Sequence, residues 1–179
     1  MNKKWRAAWP LTLFLFLSSI GIAEEPPGYT VQPPPEELKH FLQLEGEWIG
    51  THVNHEGKEE QLKLVYRNVS GDTAVEERIF AGTPKEMITM YHGNGGDQVL
   101  MTHYCALGNQ PRLQLEESDG KQFAFSYLDG VGIDRETTGH MGRMKMTVVD
   151  TNTIQHEWAY YEGGKEINVT KMTFKRLQQ

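Results

Sequence analysis

The sequence predicts an up-and-down antiparallel β-barrel of about ten strands with a short N-terminal helix. Three observations carry that expectation. From Gly46 onward, apolar and polar residues alternate with period two through a series of short segments. Compact turns rich in Gly, Asn and Asp separate those segments, which favours a meander over long crossovers. Gly46-Glu47-Trp48 opens the run and Phe174-Lys175-Arg176 ends it. A barrel of this size can enclose one small ligand. The competing arrangement is a two-sheet sandwich, which periodicity alone does not separate from a barrel.

The elements follow in order. Lys3, Lys4 and Arg6 precede an apolar run from Ala7 to Leu17, and small residues lead to Ala23. This pattern predicts a signal peptide over residues 1–23, cut after Ala23, and a protein exported to a periplasm or the extracellular space. The apolar run is too short for a comfortable membrane span, and no stable insertion is expected after cleavage. No cysteine follows the run, which argues against a lipid anchor. Residues 24–35 hold five prolines and read as a stiff linker. The barrel domain is expected over 36–179. It begins with a helix over Glu36 to Leu44, where Leu38, Phe41 and Leu42 share one face.

Strands are then expected at Trp48–Val53, around Leu62 to Tyr66, Ala74–Phe80, Met87–Tyr91, Val99–Cys105, around Leu113 and Leu115, Phe123–Tyr127, His140–Val149, Thr153–Tyr161 and Glu166–Arg176. Gly93-Asn94-Gly95-Gly96-Asp97 is the strongest hairpin signal. A Gly-rich loop is expected from Asp129 to Gly139.

Composition narrows the partners. The net charge is −6, and loss of Lys3, Lys4 and Arg6 with the leader makes it −9. An acidic surface disfavours nucleic acid and anionic membrane. Cys105 is the single cysteine, so no internal disulfide forms. Asn68 and Asn168 stand in Asn-x-Ser/Thr triplets and are read as unmodified.

The bookends carry a resemblance. Gly46-x-Trp48 in the first strand and Arg176 in the last resemble the signature of the calycins, the superfamily of lipocalins and fatty-acid-binding proteins. The resemblance implies that Arg176 lies over the Trp48 indole and closes one barrel end, a cation–π contact, with Gly46 allowing close backbone approach. Thr102-His103-Tyr104-Cys105-Ala106, Gly108-Asn109-Gln110-Pro111-Arg112 and Gly139-His140-Met141 with Trp158 are similar to uncharacterised bacterial exported lipocalin-like domains. The likeness to haem-binding nitrobindin-type barrels is more distant. Gly46, Trp48 and Gly50 match a Gly-x-Trp-x-Gly-x-Gly pattern, but His52 stands where the third glycine belongs.

Alternation assigns the inner wall. Ile154, His156, Trp158 and Tyr160 share one face. His140, Gly142, Met144, Met146 and Val148 share another. Val99, Met101, His103, Cys105 and Leu107 form a third, and Tyr66 faces in with Leu62 and Leu64. The expected ligand-binding set is therefore Tyr66, His103, Cys105, His140, Met144, His156 and Trp158, around a small apolar molecule. No cofactor is expected. Haem on one interior histidine, or a transition metal held by His103, Cys105, His140 and His156, is the alternative. A fully packed barrel acting through its surface is a third.

His52 and His55 are three apart and should point to opposite faces of a strand. No oxyanion hole or orienting group accompanies Cys105 and His103, so no catalysis is expected. Glu76, Glu77 and Arg78 are read as a solvated face plus one internal ion pair. Phosphate-loop and dinucleotide patterns are absent.

Overall fold

The computed structural model describes residues 30–53 and 57–178. The predicted leader and its cleavage site at Ala23, most of the linker, and His55 lie outside the described residues. The chain divides into two compact units, 1–31 and 32–179. In the first, only Thr30 and Val31 are described, and both are exposed without regular structure. The second is the barrel.

Ten antiparallel strands close on themselves: β1 (Gly46–Val53), β2 (Glu59–Val69), β3 (Ala74–Ile79), β4 (Met87–Gly93), β5 (Val99–Tyr104), β6 (Gln110–Ser118), β7 (Gln122–Val131), β8 (His140–Asp150), β9 (Thr153–Glu162) and β10 (Lys165–Arg176). Each pairs with the next in sequence, and β1 pairs with β10. The barrel is therefore a meander, as the short turns require. Among the described residues no helix is long and apolar enough to cross a membrane.

One end is shut. Helix α1 (Leu38–Leu42) begins after Pro35, whose carbonyl accepts from the Leu38 N–H at 3.1 Å. Pro35 also fits against Gly93, where an added Cβ would come within 2.7 Å of the ring. Leu38 and Phe41 are fully buried. Phe41 stacks on Tyr91 of β4 at 4.7 Å and meets Phe123 of β7 edge-on at 5.0 Å. Those strands are not neighbours in the sheet, so the ring spans the interior and plugs this end.

The same end carries the closure. The Arg176 guanidinium sits 4.1 Å from the centroid of the Trp48 ring. Its Nη1 donates to the Glu45 carbonyl at 2.6 Å and its Nη2 to the Gln43 carbonyl at 2.9 Å. Trp48 Nε1 donates to Leu44 O at 2.9 Å. Trp48 and Arg176 are register partners across the β1–β10 seam. Gly46 has φ +128°, and a Cβ there would lie 3.2 Å from Arg176 Nη1. At Gly50 an added Cβ would come within 2.6 Å of the Thr173 carbonyl. Both glycines let the first and last strands approach.

Arg176→Ala removes the ring contact and leaves the Gln43 and Glu45 carbonyls, and the Thr151 carbonyl that accepts from Nε at 3.3 Å, without their donor. It is expected to cost about 2–4 kcal/mol. Arg176→Lys should restore only part, because one ammonium lacks the planar fork that spans the Gln43 and Glu45 carbonyls. Urea titration of the three proteins measures this.

Candidate ligand-binding site

Opposite the plug, β1, β3, β4, β5, β8, β9 and β10 and the β3–β4 turn line a half-open cavity of about 440 Å³. Ile79, Phe80, Met87, Met141, Trp158 and Met172 supply its apolar wall. Its polar groups come from His52, Lys85, His103, Asn168 and Thr170. Two of the expected ligand-binding residues, His103 and Trp158, line it.

The other five lie elsewhere. Tyr66, Met144 and His156 are fully buried in packed interior beneath the cavity. They alternate onto the inner face as expected, but large neighbours such as Phe125, Met101 and Met146 fill the space around them. Cys105 follows the end of β5, in a turn where its N–H donates to Asn109 O at 3.1 Å. Burial pushes its thiol pKa up, and it does not line the cavity. Leu107, assigned inward with it, is exposed, because the strand ends at Tyr104 and alternation stops there.

His140 is displaced by a β-bulge. The β8–β9 register shifts between Met141 and Arg143, so His140 pairs with Tyr161 and Met141 with Tyr160. A shift of one residue exchanges the faces of a strand. Met141 accordingly reaches the cavity wall. The His140 ring packs between Tyr127 at 5.0 Å and Tyr161 at 6.1 Å, with Nδ1 2.7 Å from Thr138 O.

His103 is held in place. Its Nδ1 lies 2.9 Å from Thr89 Oγ1, and its ring packs 4.7 Å from the Trp158 indole. Desolvation lowers its pKa to about 4, so the imidazole is neutral. His52 packs edge-on against Phe80 at 5.2 Å. Its Nε2 lies 3.5 Å from Glu60 Oε2, outside hydrogen-bonding geometry.

Beneath the cavity runs a polar line. Tyr66, Glu77, Thr89 and His103 are successive register partners across β2, β3, β4 and β5. Tyr66 Oη donates to Glu77 Oε2 at 2.8 Å, and Tyr91 Oη donates to the same oxygen at 2.6 Å. Tyr66 Oη also lies 3.0 Å from His156 Nε2. Glu77 Oε1 and His156 Nδ1 have no hydrogen-bond partner among the described residues. Burial raises the Glu77 pKa to about 7 against the opposing pull of the two hydroxyls, and burial lowers that of His156 to about 3.

The expected internal ion pair is thus corrected. The pair is Arg78 with Glu76, half-buried on the outer face with Nε to Oε1 at 2.6 Å. Glu77 points inward and is bonded to tyrosines instead. Its signal was present in the sequence, since Val75, Glu77 and Ile79 alternate together. Asn168 and Thr170 carry the same signal, because they alternate in step with the buried Met172 and Phe174 along β10; Lys85 carries none, because it reaches the cavity from a turn. Among the described residues no group of three or more His, Cys, Asp or Glu is placed to hold a metal ion.

Glu77 makes stability depend on pH. Its pKa is higher folded than unfolded, so its contribution is complete below about pH 4.3 and is lost as pH rises to about 7. The loss amounts to about 3 kcal/mol. Glu77→Gln removes this dependence, while His103 and His156 act equally in both proteins. The stability of the native protein relative to Glu77→Gln should therefore fall by that amount between pH 4.5 and 7.5. Urea midpoints across the range measure it, and a constant difference contradicts it.

Comparisons with known proteins match the fold. No family model matches the chain, and no curated protein matches it. A solved protein of unknown function from the DUF3598 family of Nostoc punctiforme aligns over 82% of this chain at 13% identity, with a TM-score of 0.53. The alignment covers 51% of that protein, so this chain spans about half its length. A redesigned β-barrel aligns over 78% of this chain and 96% of its own at 10% identity, with a TM-score of 0.36. What these comparisons establish is a closed ten-stranded antiparallel barrel with a structural neighbour in the DUF3598 family.

Proposed function

We propose that this protein is an exported, non-catalytic, lipocalin-like binding protein that holds a small, mostly apolar molecule in the open end of its barrel. The cavity of about 440 Å³ carries the reading. Its size falls within the range of small-molecule sites, and its wall is apolar with a few polar groups. Met87, Met141 and Met172 make that wall adaptable, since methionine repacks around irregular shapes. The Trp48–Arg176 closure supports the lipocalin-like part of the proposal, and the signal-peptide pattern supports export.

One observation favours a second reading. His103 lines the cavity with Nδ1 engaged by Thr89, and no hydrogen bond from the described residues reaches its Nε2. A ring nitrogen oriented through its partner in this way suits axial ligation of haem. Haem binding would give a Soret band on haemin addition that disappears in His103→Ala.

The main reading is tested with a neutral naphthylamine dye whose emission rises in apolar sites. Thr170→Trp places an indole in the cavity mouth from a half-buried position. It should weaken the dye about tenfold without lowering the melting temperature. A dye that binds the variant as well as the native protein, or binds neither, contradicts the proposal.

A further inference from the structure

We infer that the molecule held in the cavity is an amphipathic anion: an apolar body seated on Trp158 and the methionines, with an acidic group at the mouth beside Lys85. The inference rests on the proposed binding function and names the chemistry of its ligand. The chain is acidic, with 24 Asp and Glu against 18 Lys and Arg. Yet no Asp or Glu lines the cavity. Its side chains with ionisable nitrogen are His52, Lys85 and His103, joined by the neutral Asn168 and Thr170.

The neighbouring carboxylates are committed. Glu86, next to Lys85, accepts from Arg78 Nη1 at 3.0 Å and from the Gly82 N–H at 2.7 Å. Glu77 lies below the floor between two tyrosine hydroxyls. Glu60 sits against His52.

Lys85 is left over. Its backbone N–H donates to Thr83 Oγ1 at 3.2 Å, and Thr83 N–H donates to Phe80 O at 3.1 Å, so the β3–β4 turn holds it in place. Its ammonium makes no ion pair among the described residues, which is also true of Lys121, Lys145, Lys165 and Lys175, but of these lysines Lys85 is the one that lines the cavity. A carboxylate, phosphate or sulfonate on the ligand would supply the missing partner as a charge-assisted contact. A cationic ligand would meet an ammonium and no carboxylate in the wall. His103 then remains for a second, neutral polar group at the inner end of the molecule.

Two dyes with one ring skeleton test this: anionic 1-anilinonaphthalene-8-sulfonate and neutral N-phenyl-1-naphthylamine. Lys85 is exposed on a turn, so its substitution spares the fold. Lys85→Gln should weaken the sulfonate about fivefold and Lys85→Glu more, with the neutral dye unchanged in both. Added salt should weaken the sulfonate alone. If the neutral dye binds and sulfonate affinity is the same in all three proteins, the inference is wrong and the cavity reading stands. If neither dye binds the native protein, the binding reading itself falls.

Discussion

The seam between β1 and β10 is the constraint on which this molecule depends. A meander of ten strands has two free edges until its first and last strands meet. Here they meet at Gly46, Trp48, Gly50 and Arg176. Two glycines permit the approach, and the guanidinium both covers the indole and ties the chain before β1 to the end of β10. Closure fixes the inside of the tube. Once the inside exists, each alternating residue has an assigned fate, and the two ends become different places.

That difference organises the interior. At the seam end, α1 drives Phe41 between β4 and β7, and the core is filled by aromatic and methionine side chains. Towards the other end the filling stops at Ile79, His103, Trp158 and Met172. Between them lies the layer of Tyr66, Glu77, Tyr91 and His156. A buried carboxyl without a cation is costly unless it is protonated or well bonded. Two hydroxyls meet one of its oxygens and leave the other bare. The layer thus specifies an interior geometry at some expense in stability near neutral pH. It sits under the floor of the cavity on the inner faces of β2, β3, β4 and β9.

Much of this was legible in the chain. Period-two alternation placed all ten strands, because that signal is local and repeated, whereas the closure was implied by the resemblance that Gly46, Trp48 and Arg176 carry. The inward positions of Tyr66, Met144, His156 and Trp158 followed from the same rule. The rule fails where the ladder is irregular. A bulge at Met141–Arg143 takes His140 off the cavity wall and brings Met141 onto it; its mark in the sequence is Gly142, the unpaired residue, which strict alternation treats as one more inward position. Alternation also separates inside from outside but does not tell filled interior from open cavity. That division depends on which side chains meet across the tube, a non-local sum of volumes. Lys85 carries no alternation signal, because a turn residue has no face to alternate onto.

The methionines allow the central claim to be examined directly. Met87, Met141 and Met172 line the cavity, while Met101, Met144 and Met146 are fully buried. Methyl NMR of methionine-labelled protein, titrated with an amphipathic probe, reads both groups at once. A cavity that binds small molecules predicts large shifts at Met87, Met141 and Met172, with Met144 and Met146 nearly still. Equal shifts throughout, or none at the cavity methionines while the probe binds, would contradict it.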